Sequence, residues 1–346
     1  MVTRRKVLQA SGLAAAPQVM VAQTGPLKIV STVAFEPDEL AKITQGKAVP
    51  IRFVFAKDRE EFRKELRDAD VVYGGLNAAD MDFAPKVKWV QSPGAGVESA
   101  DPKFMASPIL FTNMARIFAP GIAETAMGLL LCLTRGITTY YMPQFAKRQM
   151  KPIGTVKSPD HWELDGRTMG LVGFGGIGYE IGRRAHHGFG MKIMATDAKP
   201  IPKPEWVSEL HDPTWFMEMV PQVDVLVSAA PATKQTRKMF NETVFRKMKK
   251  TAIFLGMSRG ELFDDMALVK ALKEGWIAGA GLDVFPVEPP PENHPIFDCK
   301  NVVMTAHTSG WGPDRQRRLV DLFAENVRRY AAGMELMNVV NKAVGY

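Results

Sequence analysis

One six-residue turn constrains this chain more than any other feature. Gly173-Phe174-Gly175-Gly176-Ile177-Gly178 follows the apolar run 168–172 and opens a stretch of helical character. A G-x-G-x-x-G turn between a strand and a helix is the phosphate-binding fingerprint of a βαβ dinucleotide unit. Gly173 permits the tight turn, Gly175 lets the backbone approach a pyrophosphate, and Gly178 lets helix and strand pack closely. The amino end of the helix then faces the phosphates. Asp197 ends the next strand-like run, about twenty residues past the last glycine. Its carboxylate suits the ribose hydroxyls of the adenosine and opposes a 2′-phosphate, so the expected cofactor is NAD rather than NADP. Lys199 and Lys203, just beyond it, are the candidate phosphate ligands if the preference is reversed. A glycine-rich turn with no ligand is the bland alternative.

The rest of the chain alternates strand-like and helix-like runs. Residues 28–35, 50–56, 70–75, 88–93 and 109–113 are short and rich in β-branched or aromatic residues. Between the second and third lies 58–70, where Phe62 and Leu66 share one helix face. A long apolar helix is expected over 120–135. A second series of strands follows at 168–173, 192–197, 224–229, 252–256, 278–284 and 301–306. A closing helix over 313–332 carries Leu319, Phe323 and Val327 at four-residue spacing. This alternation implies α/β architecture with parallel sheets covered by helices on both faces.

With 346 residues there is room for two domains of ordinary size. The formal charge of +7 is spread along the chain apart from Arg4, Arg5 and Lys6, so no clustered basic surface points to nucleic acid. The two cysteines exclude a disulfide framework. Cys132 reads as core and Cys299 as part of a polar loop. Neither has metal-ligand spacing to another Cys or His, so no metal site is expected. The first acid is Glu36, and the basic start gives way to an uncharged, weakly apolar stretch broken by Gly12 and Pro17. That layout fits a secretory signal rather than a stable membrane span. Thr3-Arg4-Arg5 with Val7 and Leu8 resembles a bacterial twin-arginine signal, with residues 1–22 as the signal and Met20-Val21-Ala22 as the cleavage site. The expected partner is the twin-arginine export machinery and the expected location the periplasm. A disordered extension of a cytoplasmic protein, a misassigned start codon and a transit peptide are the other readings.

Three segments of the carboxyl-terminal part carry candidate chemistry. Arg259 lies in GMSRGELF, Asp283 and Glu288 in GAGLDVFPVEPPP, and His307 in NVVMTAHTSGW. Each candidate lies at or beyond the end of a strand-like run, where open α/β sheets place their ligands. Arginine binds and polarises a carbonyl beside a carboxylate, because it stays charged and forks two hydrogen bonds. Histidine exchanges a proton with a hydroxyl, and a carboxylate on its other ring nitrogen orients the imidazole. Singly, each residue has a structural explanation; all three following strands of one sheet that begins with a dinucleotide turn is the stronger observation.

Together, the run LDGRTMGLVGFGGIG and the blocks around Arg259, Glu288 and His307 resemble the D-isomer-specific 2-hydroxyacid dehydrogenase family. GAGVESAD near Gly96 resembles its substrate loop, and the ending AAGMELMNVVNKAVGY is similar to family members as well. The likeness spans roughly 28–346. It implies two doubly wound domains around a cleft: a Rossmann NAD-binding domain, 120–309, inserted in a flavodoxin-like substrate domain, 23–119 with 310–346. It implies Arg259 as the substrate-binding and catalytic arginine, His307 as the acid/base and Glu288 as its partner. The amides at Ala95 and Gly96 would hold the substrate carboxylate. Gly176, Ile177, Asp197, Ala230, Met257 and Asp283 would contact NAD, with Asp283 near the carboxamide. It also implies a homodimer through the NAD domain. Three positions depart from the family pattern: Gly256 stands where Asn is usual, Ala306 where Pro is usual, and Glu98 where Asp is usual.

The expected function is hydride transfer between NAD(H) and a small D-2-hydroxy acid or 2-oxo acid. Formate dehydrogenase, a relative with a similar histidine segment, carries Gln at the position of Glu288; formate has no hydroxyl proton to remove, so Glu288 favours hydroxyacid chemistry. A nucleotide-sensing scaffold, like the C-terminal binding protein corepressors of the same fold, keeps the triad and remains an alternative. The segments VVYGGLN and WVQSPGAG contain no Arg or Lys, which favours an uncharged substituent, as in glyoxylate, hydroxypyruvate or pyruvate.

Overall fold

The structure, a computed structural model, describes residues 21–149 and 161–345. The twin-arginine segment lies outside them. The described residues divide into two compact units, 119–311 and, together, 21–118 with 312–345.

The second of these units holds a five-stranded sheet: β1 Leu27–Ser31, β2 Ile51–Phe55, β3 Val71–Tyr73, β4 Trp89–Gln91 and β5 Leu110–Thr112. The order is β2-β1-β3-β4-β5 with every pairing parallel, the flavodoxin-like arrangement. All five residues of β1 are buried, as helices on both faces require. The apolar run 28–35 is shorter as a strand than its composition suggests. Ser31 Oγ takes the Val33 amide at 3.0 Å and donates to the Val33 carbonyl at 2.6 Å, which turns the chain away from the sheet. The helix Arg59–Leu66 is capped by Asp58, which accepts from the Glu61 amide at 2.9 Å, and it buries Phe62 and Leu66. The closing helix Asp314–Ala331 buries Leu319, Phe323 and Val327. Phe323 packs against Tyr73 and Trp89, with ring centroids 4.5 and 5.9 Å away.

The other unit holds seven strands: β6 Thr168–Val172, β7 Lys192–Thr196, β8 Glu209–His211, β9 Val225–Ser228, β10 Ile253–Gly256, β11 Gly279–Leu282 and β12 Val302–Met304. Their order is β12-β11-β10-β9-β6-β7-β8, again parallel throughout. From β6 the chain moves outward through β7 and β8, then returns to β9 on the other side of β6. This reversal is the switch point where such sheets take their ligands. Strand β8, a short polar edge segment, carries no apolar pattern from which sequence could announce it. The apolar helix Ala119–Thr134 buries Ile122, Ala126, Leu129 and Leu130. Cys132 on this helix is half-buried, short of the core position expected for it. Cys299 is buried rather than set in a polar loop, because the 3₁₀ turn Pro295–Asp298 folds Ile296 into the core beside it.

Candidate active site

Six strands of the larger sheet deliver site residues from their carboxyl ends. Gly173 follows β6, Asp197 follows β7, Ala230 lies just past β9, Met257 follows β10, Asp283 follows β11, and His307 comes soon after β12. Because all strands run parallel, these residues share one edge of the sheet.

The glycine turn has the geometry a dinucleotide requires. Gly173 adopts φ +93°, a conformation that L side chains rarely take, and a Cβ there would lie 2.6 Å from the Ala230 amide nitrogen. A Cβ on Gly178 would fall 2.0 Å from the Gly173 carbonyl oxygen, so the helix Gly176–Phe189 can sit this close to β6 only with glycine. Gly175, which caps that helix, has nothing within 4 Å of its Cβ position. The cradle is therefore closed where the fold packs and open where a pyrophosphate would approach the helix amino end, which carries Gly176 and Ile177. Asp197 accepts from the Phe174 amide at 2.7 Å and from the Lys199 amide at 2.8 Å, joining the turn to the end of β7. Lys203 donates its ammonium to the Val207 carbonyl at 2.8 Å. Ala230 and Met257 are both buried.

The two residues expected to form an acid–base pair meet. His307 Nδ1 lies 2.7 Å from Glu288 Oε2, with the two side chains 43% and 37% exposed, so the pair is open to a ligand. The other Glu288 oxygen accepts from the Phe285 amide at 2.8 Å, so the carboxylate is held at both ends. His307 itself has φ +53°, a left-handed conformation uncommon for a residue with a side chain. Asp283 explains how that conformation is kept. Its carboxylate, 2% exposed, accepts from Thr305 Oγ1 at 2.7 Å, from the Thr308 amide at 3.1 Å, from the Ser309 amide at 3.2 Å and from Ser309 Oγ. The Asp283 carbonyl takes the His307 amide at 2.8 Å. One buried carboxylate thus grips the loop on both sides of the histidine.

Arg259 follows β10 in extended conformation, and its Nη1 donates to the Ser258 carbonyl at 2.8 Å. The next residue binds this segment to that of Glu288. A Cβ on Gly260 would lie 2.0 Å from the carbonyl carbon of Phe285, whose amide holds Glu288. Gly256, where Asn is usual, sits tightly, with Leu282 Cδ2 3.0 Å and Phe263 Cε1 3.4 Å from a would-be Cβ. Ala95 and Gly96 belong to the other unit, in the turn after β4. There Asn113 Nδ2 donates to the Ala95 carbonyl at 2.7 Å. Sequence reading missed Gly260, Asn113 and the grip of Asp283 on the histidine loop. A glycine following the candidate arginine was the one visible signal. Among the described residues no cluster of His, Cys, Asp or Glu could hold a metal ion.

Comparison with known proteins gives this geometry a context. A family model described as D-isomer specific 2-hydroxyacid dehydrogenase, NAD binding domain, matches residues 127–309. A glyoxylate reductase of Thermofilum pendens is 34% identical over 299 residues, covering 83% of this chain and 85% of that protein. A second glyoxylate reductase, of Thermococcus kodakarensis, is 35% identical over 298 residues, covering 83% of this chain and 87% of the relative. A crystal structure of a D-isomer specific 2-hydroxyacid dehydrogenase family protein from Aeromonas salmonicida superposes with a TM-score of 0.73 at 26% identity, covering 92% of this chain and all of that one.

Proposed function

The chain belongs to the D-isomer specific 2-hydroxyacid dehydrogenase family, and from that premise we propose that it reduces a small 2-oxo acid with an uncharged substituent, using NADH. Hydride transfer linked to a nicotinamide dinucleotide, acting on a small 2-hydroxy or 2-oxo acid, is the activity of the family; the substrate, the residue roles and the choice of NAD are the proposal. The observation that carries it is the pair of His307 and Glu288, 2.7 Å apart on the sheet edge that begins with the dinucleotide turn. When bound, the nicotinamide supplies or accepts the hydride. Glu288, tied to the Phe285 amide, occupies Nδ1 of His307 and so reserves Nε2 for the substrate oxygen. His307 gives its proton to that oxygen in reduction and takes it back in oxidation. Arg259 polarises the 2-oxo group and binds the neighbouring carboxylate. The amides at Ala95 and Gly96 hold the same carboxylate. A carboxylate on the histidine supports hydroxyacid over formate chemistry, since formate has no hydroxyl proton to exchange. Steady turnover would exclude a pure nucleotide sensor.

For the cofactor, Asp197 supports NAD. The carboxylate lies against the turn, where a 2′-phosphate would meet its charge, and Lys203 is drawn to the Val207 carbonyl. For the substrate, relatives bearing the name glyoxylate reductase support a small 2-oxo acid. Lys86 and Lys88 precede β4 and are exposed, at the opposite strand end from Ala95 and Gly96. A panel of glyoxylate, hydroxypyruvate, pyruvate, oxaloacetate and phosphohydroxypyruvate, followed by NADH and NADPH absorbance, tests both points. The first three should be reduced, with NADH preferred. Preference for oxaloacetate or phosphohydroxypyruvate would overturn the uncharged-substituent class. Equal efficiency with NADPH would overturn the role of Asp197.

Export in a folded, NAD-loaded state and dimerisation complete the proposal. Twin-arginine export carries folded proteins, which suits an enzyme that must load its cofactor where NAD is plentiful. The Gln23 amide, just after Met20-Val21-Ala22, donates to the Ala331 carbonyl at 3.1 Å, so anchoring begins beside the proposed cleavage site. The exposed apolar side chains Ile137, Met142 and Phe145 support a homodimer through the unit that carries them. Fractionating the native host, then measuring mass and bound nucleotide, should find a periplasmic, NAD-containing dimer cleaved after Ala22. Uncleaved cytoplasmic protein would refute export, nucleotide-free exported protein would refute retention, and a monomeric mass would refute dimerisation.

A further inference from the structure

We propose that Asn113 is a positioning residue for substrate binding: its side-chain amide, by holding the Ala95 carbonyl, aims the Gly96 N–H at the substrate carboxylate. In a trans peptide the carbonyl and the following N–H point in opposite directions. Whatever fixes the Ala95 carbonyl therefore fixes the direction of the Gly96 N–H. Asn113 Nδ2 fixes it at 2.7 Å, while Asn113 Oδ1 accepts from the Ala115 amide at 3.1 Å. With donor and acceptor ends both engaged, the amide has one sensible orientation.

Asn113 is itself restrained from two sides. Its amide donates to the Asn338 carbonyl at 3.1 Å, and Asn338 Nδ2 donates to the carbonyls of Asn113, at 3.3 Å, and Ala115, at 2.9 Å. Asn338 has φ +56°, a conformation Asn tolerates better than most residues. The carboxyl-terminal segment thus clasps the residue that orients the loop. Below the loop, a buried relay runs from Trp89 Nε1 to Thr112 Oγ1 at 2.7 Å, then to Gln91 Oε1 at 2.8 Å, and Gln91 Nε2 donates to the Ser92 carbonyl at 3.0 Å. Asn326 from the closing helix also donates to Gln91 Oε1, at 3.2 Å. The Gly94 amide meets Ser92 Oγ at 3.1 Å, and the Gly94 carbonyl accepts from the Met114 amide at 2.8 Å. The loop's base is held by this network and its tip by Asn113, which suits an anion site made of backbone amides.

This inference rests on the reading that Ala95 and Gly96 hold the carboxylate, and the test separates the two. Asn113→Asp keeps the shape and the bond from the Ala115 amide, but sets an acceptor against the Ala95 carbonyl. Asn113→Ala removes the bond without adding charge. Gly96→Pro deletes the N–H itself. All three are assayed as folded, NADH-binding enzyme. The expected result is a KM for the 2-oxo acid raised about tenfold or more in Asn113→Asp and Gly96→Pro, and less in Asn113→Ala, as for a weakened hydrogen bond to a charged group. In the two Asn113 variants, saturating turnover and the Kd for NADH should change little, a split that general loosening of the fold would not produce. A raised KM in Gly96→Pro with an unchanged KM in Asn113→Asp would overturn the role of Asn113 alone. An unchanged KM in Gly96→Pro would overturn the loop reading and the inference with it.

Discussion

Replacing His307 with alanine should lower the turnover of 2-oxo acid reduction about 10²- to 10⁴-fold, the usual range for a lost general acid. The substitution removes one exposed ring from a loop whose backbone is held by other residues, so the fold has no reason to fail. Asp283 still grips Thr305, Thr308 and Ser309, and the glycine turn is untouched. NADH affinity should therefore stay within a few-fold of the parent, which separates loss of chemistry from loss of cofactor. Fluorescence titration with NADH beside steady-state kinetics reads both quantities. Near-parental turnover in the alanine variant would remove His307 from the mechanism.

Substituting Gly260 with alanine should disable the site through its backbone. The added Cβ would fall 2.0 Å from the Phe285 carbonyl carbon, 2.1 Å from its oxygen and 2.4 Å from the Pro286 nitrogen. All three are main-chain atoms, so no rotamer change relieves the clash, and one segment must move. Forced overpacking of this kind costs about 1–3 kcal/mol. The direction of movement matters more than its cost. Separating Gly260 from Phe285 carries Arg259 away from the segment whose amide holds Glu288. Because near-attack geometry is steep in distance, a displacement of about 1 Å reduces turnover on the order of 10²-fold. Denaturant unfolding and kcat/KM on the same preparation check the two effects. A variant with parental kcat/KM would show that Gly260 does not set the spacing of the arginine and glutamate segments.

Much of this was legible because periodicity and strand ends are local signals. The runs at 168–173, 192–197 and 252–256 announced β6, β7 and β10, and the fingerprint fixed the direction of the first βαβ unit. Phe62 with Leu66, and Leu319 with Phe323 and Val327, announced their buried faces by spacing. What sequence did not reveal depends on contacts between distant segments. The grip of Asp283 on Ser309, the clasp of Asn338 on Asn113 and the fit of Gly260 against Phe285 join residues 25 or more positions apart, and none repeats a pattern. The end of β1 at Ser31 was hidden for a different reason. Residues 32–35 remain strand-like in composition, and a single hydroxyl decides otherwise.

On this account the chain moves a hydride between a nicotinamide and the C2 carbon of a small 2-oxo acid. Supplying the folded protein with glyoxylate and NADH that carries deuterium at both C4 positions of the nicotinamide tests it directly. Glycolate examined by NMR should hold one deuteron at C2 for each NADH oxidised, and the His307→Ala variant should form it more slowly by the factor given above. Glycolate without deuterium, or no NADH oxidised by a protein that binds it with glyoxylate, hydroxypyruvate and pyruvate each in excess, would contradict the claim.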